Sequence, residues 1–121
     1  MPDGKICYVE IPAKDIEESA QFYATVFGWS VRLRGDGARA FDDTTGAVSG
    51  TWVLGRTPQA GPGLLIYIMV DSIEATVAKI TSKGGKVVTP RTAIGTGGEA
   101  HATFLDPAGN LIGLYEERKR T

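Results

Sequence analysis

Residues 101–117 read HATFLDPAGNLIGLYEE. Two runs of strand-forming residues flank DPAGN, whose Asp, Pro, Gly and Asn are turn residues, so the stretch predicts a hairpin with strands at about 99–105 and 110–117. Gly113 stands in the middle of the outgoing strand, where a glycine loses backbone entropy and offers no side chain to pack. A five-residue loop pairs Thr103 with Gly113 and His101 with Tyr115, whereas a four-residue loop would turn the incoming strand over. The longer loop is expected, because it sends Ala102 and Phe104 to a core and leaves His101 and Thr103 on a polar-capable face.

Upstream of the hairpin, LLIYIMV at 64–70 is a continuous apolar run that predicts a strand covered on both faces. A helix follows at 72–83, stopped by Gly84-Gly85, and then a strand at about 86–93. The order is βαβββ. The same order precedes it. KICYVEIP at 5–12 is a strand closed by Pro12, and Asp15 with Glu18 opens a helix in the manner of a capping box. Ile16, Ala20, Phe22, Tyr23, Val26 and Phe27 give that helix its apolar stripe, and Gly28 ends it. Strands at about 29–34, 38–43 and 47–54 are separated by the turns RGDG and DTTG.

A shift of 57 residues aligns Ile16-Glu17 with Ile73-Glu74, Gly28 with Gly85 and Val31 with Val88. The chain therefore reads as an α+β protein, one domain over residues 1–121. It is built from two βαβββ modules at about 5–54 and 64–117, joined by GRTPQAGPG at 55–63. Each helix covers one face of a curved sheet, and the concave face left over must line a pocket or meet another chain.

Composition narrows the partners. A chain of 121 residues with 42% apolar and 22% charged residues is globular. A net charge of −1 gives no reason to expect nucleic acid or an anionic membrane. Arg118, Lys119 and Arg120 read as a solvated tail. Cys7 is the only cysteine, so no internal disulfide or cysteine zinc site can form, and its alternation with Val9 and Ile11 suggests a core thiol over a nucleophile. Residues 1–5 lack a signal-peptide core and no apolar run approaches the roughly 20 residues of a membrane span, so a cytoplasmic protein is expected.

The two-module layout, with VEIPAKDIEESAQFYATVFGW in the first module and FLDPAGNLIGLYE in the second, resembles the vicinal oxygen chelate superfamily. That superfamily holds glyoxalase I, extradiol dioxygenases and bleomycin-resistance proteins. The resemblance covers essentially the whole chain, and it implies a cupped mixed sheet and a homodimer with cavities between subunits. In metal-dependent members the cup holds a divalent cation through His, Gln or Glu. The resemblance places three of those positions at Tyr8, Leu65 and Gly113, and a fourth in AVSGTWVL, which contains no such residue. A divalent metal needs at least three convergent N or O donors. The usual site is therefore expected to be absent, with no metal and no cofactor.

Alternation then assigns the concave face. It receives Ile6, Tyr8 and Glu10 from the first strand, Leu65, Tyr67 and Met69 from the fifth, and Leu111, Gly113 and Tyr115 from the last. His101 and Thr103 join them. The expected ligand set is Tyr8, Glu10, Leu65, Tyr67, Met69, His101, Thr103, Gly113 and Tyr115, a mainly apolar and aromatic pocket suited to a small apolar or aromatic molecule. Gly113 would let that molecule approach the backbone. Trp29 and Trp52 could be cavity walls or dimer anchors, and the sequence does not choose. GTGG at 95–98 joins two strands and opens no helix, so it is an ordinary glycine-rich hairpin before it is an anion site.

Three functions remain open on the sequence. The first is a metal-independent binding protein. The second is a glyoxalase- or dioxygenase-like enzyme, with Glu10 and His101 as an acid/base pair or with Glu10, Glu99 and His101 as relocated metal ligands. The third is a non-catalytic interaction module.

Overall fold

Positions 15 and 72, at the 57-residue interval of the repeat, hold the caps of the two helices. Asp15 Oδ1 accepts from the Glu18 N–H at 3.1 Å, and Ser72 Oγ accepts from the Ala75 N–H at 3.1 Å. The computed structural model describes residues 3–61 and 63–117, so the basic run at 118–120 lies outside the described residues. In chain order the elements are β1 (Tyr8–Pro12), α1 (Ile16–Phe27), β2 (Ser30–Leu33), β3 (Arg39–Asp42) and β4 (Ser49–Val53). The second module repeats them as β5 (Tyr67–Val70), α2 (Ile73–Ser82), β6 (Lys86–Ile94), β7 (Glu99–Leu105) and β8 (Leu111–Glu116). α1 ends where Gly28 takes the left-handed conformation, φ 73°, and returns its N–H to Ala24 O.

Each module makes its own four-stranded mixed sheet, in the order β1-β4-β3-β2 and β5-β8-β7-β6. The first strand of each module pairs parallel to the last, and the remaining pairs are antiparallel. One face of each sheet carries its helix. Val9, Ile11, Phe41 and Trp52 meet Ala20, Phe22, Tyr23 and Val26 of α1, while Ala100, Ala102 and Leu114 join Ile73 and Ile80 of α2. The two halves share this core. Phe22 and Phe27 of α1 each come within 6.0 Å of the Phe104 ring on β7.

Tyr23, Trp29 and Phe41 form a stack at 4.7 and 4.5 Å, with Trp52 tilted against Phe41 at 4.9 Å. Trp52 is thus a buried core residue, and Trp29 is half-buried against the same core. The Trp52 indole N–H is buried there without a hydrogen-bond partner.

The DPAGN turn fastens the modules together. Asp106 Oδ1 accepts the N–H groups of Ala108, Gly109 and Asn110 at 2.9–3.0 Å, and Oδ2 accepts the Tyr23 hydroxyl at 2.8 Å. Asn110 Nδ2 donates to Pro12 O at 2.7 Å, and Asn110 Oδ1 accepts the Gln59 N–H at 3.1 Å. One turn so holds α1, the end of β1 and the inter-module link, and its Asp and Asn are structural. Burial, the Asp106 charge and that hydrogen bond, in this order, push the Tyr23 phenol well above its ordinary range.

Two sequence expectations change. The run at 64–70 is a strand only from Tyr67, with Leu64 89% exposed, and Tyr67 and Met69 are open on one face. β5 is an edge strand paired only with β8, and its helix covers a single side, so the run is not covered twice. Cys7 is exposed and not a core thiol. The alternation that carries Val9 and Ile11 inward begins at Tyr8, one residue too late to include it. Among the described residues no helix is long and apolar enough to cross a membrane.

Candidate functional site

The face without a helix is the site candidate on each sheet, and strand register fixes its members. On the second sheet Tyr67 pairs with Gly113 and Gly113 with Thr103; Met69 pairs with Tyr115 and Tyr115 with His101. This is the register of the five-residue loop, so Tyr67, Met69, His101, Thr103, Gly113 and Tyr115 share one face. Leu65 is half-buried in the segment before β5. Tyr67 and Met69 are 49% and 61% exposed in the single chain, while His101 is half-buried with its Nδ1 lacking a hydrogen-bond partner. The Tyr115 hydroxyl donates a short hydrogen bond to Glu99 on β7. That bond, with burial and the Glu99 charge behind it, raises the Tyr115 phenol above its ordinary range.

Gly113 differs from expectation in its neighbour. A Cβ built on it would lie 2.5 Å from Cδ2 of Tyr67 and 2.7 Å from Cε2. The Tyr67 ring therefore fills the space over the glycine, and the backbone there is not open to a ligand.

The first sheet is different in chemistry. Its open face carries Tyr8 and Glu10 from β1, with Ser49 and Thr51 beside them on β4, then Ala40 and Asp42 on β3 and Arg32 on β2. Arg32 Nε bonds Asp42 Oδ2 at 2.9 Å, and Ser49 Oγ donates to Asp42 Oδ1 at 2.6 Å. The Arg32 guanidinium, then the Ser49 hydroxyl, hold the Asp42 carboxyl below the ordinary range. Arg34 donates through Nε and Nη2 to both oxygens of Asp36, at 2.9 and 2.7 Å, and through Nη1 to the Tyr8 hydroxyl at 2.7 Å. Glu10 pairs with Arg56 at 2.5 Å.

This wall is polar and ionic, and beside the expected Tyr8 and Glu10 it carries Arg32, Asp42 and Ser49, which the expected set lacked. The arginines were legible in principle, since residues 32 and 34 share one strand face by alternation. Glu10 and His101 lie on different sheets and no hydrogen bond joins them, so one chain does not bring the expected acid/base pair together.

Glu116, also missed in the sequence, faces the helix side of β8. It is 6% exposed, accepts the Ile73 N–H at 2.8 Å and pairs with Arg91 at 3.0 Å, which ties β8 and β6 to the start of α2. A cavity of about 240 Å³ lies between the modules, with Val9, Ile11, Trp29, Phe41, Ile66 and Ile112 among its walls. Tyr67 and Met69 reach it, but His101, Thr103, Gly113 and Tyr115 do not line it.

The donor set does not fit a divalent metal. Leu65 has no donor, Gly113 is covered by a ring, and the Tyr8 hydroxyl already accepts from a guanidinium. Among the described residues no three His, Cys, Asp or Glu side chains are grouped to hold an ion.

Known proteins share the fold of this chain. A protein of Didymella fabae described as glyoxylase-like domain-containing is 29% identical over 88% of this chain and 89% of its own length. A probable lactoylglutathione lyase of Vibrio cholerae is 28% identical over 98% of this chain and 95% of its own. The chain spans only 45% of a third relative, the putative glyoxylase CFP32 of Mycobacterium bovis, at 27% identity. Among solved structures, the fosfomycin resistance protein FosX of Listeria monocytogenes superposes with a TM-score of 0.77 at 18% identity, covering 97% of this chain and 93% of that one. A structure described as a glyoxalase/bleomycin resistance protein/dioxygenase family enzyme from Burkholderia phytofirmans gives 0.74 at 21% identity, covering 90% of this chain and 95% of that one. Residues 5–114 match the sequence profile of the Glyoxalase/Bleomycin resistance protein/Dioxygenase superfamily, and the chain belongs to that superfamily.

Proposed function

We propose that this chain is a metal-independent small-molecule-binding protein, a single cytoplasmic domain of two modules that works as a homodimer. The ligand is a mainly apolar or aromatic molecule held in a cavity that two copies close between their open faces. The observation that carries this reading is the Tyr67 ring over Gly113, which replaces a possible carboxylate with an aromatic surface. Around it Met69, Tyr115 and Leu111 extend an apolar wall, and His101 and Thr103 supply a few polar atoms. Exposure of Tyr67 and Met69 on one face of β5 supports a covering partner, because contiguous open apolar surface marks an interaction site.

A second reading is favoured by one atom. The buried Nδ1 of His101 makes no hydrogen bond that would assign it a structural task, and Tyr115 with Glu99 lies next to it in register. Some relatives carry the names of enzymes, so an acid/base lyase or isomerase on this wall is the alternative.

The test combines three measurements on the full chain. Metal content after incubation with Zn²⁺, Ni²⁺, Mn²⁺ or Fe²⁺ and dialysis should be well below one ion per subunit. Sedimentation should give a dimer, and aromatic probes should bind. Stoichiometric metal lost in His101→Ala would overturn the metal-free reading.

A further inference from the structure

The turn RGDG at 34–37 delivers an arginine across the first sheet. Asp36 accepts from Nε and Nη2 of Arg34 and also from the Ala38 N–H at 3.1 Å, so the guanidinium is clamped in one orientation by its own turn. The clamp holds over the neutral range, because the Arg34 hydrogen bond and then the Ala38 N–H draw the Asp36 carboxyl down to about 2. With that edge occupied, Nη1 points the other way and meets the Tyr8 hydroxyl at 2.7 Å.

The two residues come from opposite edges of the sheet, β1 and the end of β2, and their contact spans β4 and β3. Ala40 and Thr51 on those strands are 0% and 3% exposed although no helix or strand covers that face.

The donors are unbalanced. The Tyr8 oxygen accepts from Arg34, and among the described residues its own hydrogen has no acceptor. Arg34 makes three hydrogen bonds, and a guanidinium carries more N–H donors than that. A phenolic O–H and a guanidinium N–H thus stand side by side on an open face with donors left over. Adjacent donors of this kind match the adjacent oxygens of a carboxylate, and Arg recognises that planar group better than a point charge would. Asp36 offsets the charge, but its side chain is 60% exposed, so water screens it.

We propose that Tyr8 and Arg34 form a carboxylate-binding pair, so that the ligand is an aromatic or apolar carboxylic acid. Where two copies close the cup, its acid lies on the first sheet of one and its body on the Tyr67–Met69 wall of the other. This rests on the cup reading given above and adds the class of ligand to it.

Paired probes test it: one- to three-ring aromatic carboxylic acids, each against its primary amide, titrated by calorimetry near neutral pH. The acids should bind at least about tenfold tighter than their amides, since charge-assisted hydrogen bonds exceed neutral ones by about that factor. Arg34→Met and Tyr8→Phe should each lose most of the preference, by weakening the acids more than the amides. Arg34→Lys should restore only part of it. Equal binding of acids and amides overturns the pair and leaves the cup reading standing. Acid preference that survives Arg34→Met overturns it too. Binding of neither series overturns the cup reading, and the pair falls with it.

Discussion

Substituting Gly113→Ala is the sharpest physical probe of the site. In the middle of a strand, alanine should stabilise over glycine by about 0.5–1 kcal/mol, because the unfolded chain loses freedom. At Gly113 the new Cβ would lie 2.5, 2.7 and 2.9 Å from three carbons of the Tyr67 ring. Real Cβ atoms do not approach that closely, so the ring must move. Overpacking of this size costs about 1–3 kcal/mol. Tyr67 is 49% exposed and can swing toward solvent, which holds the cost toward the low end of that range. A cost of about 1–2 kcal/mol set against that gain leaves a net loss of up to about 1.5 kcal/mol, at most a few degrees in Tm for a domain of this size.

The sign should reverse when the ring is removed. In a Tyr67→Ala background those three contacts are gone, and Gly113→Ala should stabilise by about 0.5–1 kcal/mol. A double-mutant cycle by urea unfolding therefore isolates a coupling of about 1–2 kcal/mol between the two positions. The measurement needs one protein concentration throughout, since association of folded chains adds its own stability. A coupling below about 0.5 kcal/mol would refute the claim that the Tyr67 ring occupies the space over residue 113.

Other perturbations follow from the same contacts. Tyr23→Phe removes the hydroxyl from Asp106 and should cost about 1–3 kcal/mol in urea unfolding, with loss of the link between α1 and the DPAGN turn. Because the folded Tyr23 pKa is raised, its stabilising contribution is full below the unfolded value near 10 and is lost as pH rises toward the folded one. Alkaline unfolding should accordingly start at lower pH in wild type than in a Tyr23→Phe variant matched for starting stability, followed by circular dichroism. Asp36 runs the opposite way: the Arg34 guanidinium and the Ala38 N–H draw its folded pKa down to about 2, below the 3.8 of a free aspartate. The Arg34 clamp is thus complete above about 4 and lost as pH falls toward 2, which NMR of the Arg34 Nε–H should report. Glu116→Ala should cost about 2–3 kcal/mol, read as earlier amide exchange at the start of α2, because the Ile73 N–H and Arg91 both lose their partner.

The features that periodicity and turn chemistry control were readable from the chain. The helices lie where Asp15, Gly28 and the apolar stripe place them, and the hairpin register follows from burying Ala102 and Phe104. Strand ends were less legible, because alternation in KICYVEIP and LLIYIMV continues past the point where a partner strand exists. Cys7 and Leu64 read as strand residues by type, yet Cys7 precedes β1 and Leu64 precedes β5. The ionic wall was missed for a different reason. Its members come from β1, β2, β3 and β4 and a turn, and only sheet order brings Tyr8 toward Arg34. Glu116 was hidden in the same way, since its partners Ile73 and Arg91 are long-range in sequence.

The glycine that opened the sequence problem has a physical meaning once both walls are considered. A glycine in a strand gives up packing, and here the neighbouring β5 returns it by laying an aromatic ring into the gap. That exchange removes one position for a charged side chain on the second sheet and broadens its apolar surface. On the first sheet the reverse has occurred, with Arg32, Arg34 and Arg56 each matched to a carboxylate. An open sheet face that were only a structural surplus would have no reason to segregate its chemistry this way. Two walls of opposite character, one aromatic and one proposed to take an acid, are what a cup needs to orient an amphipathic molecule, and swapping Tyr67 for Ala should weaken acid and amide probes alike, while Arg34→Met should weaken the acids more and bring the two series together.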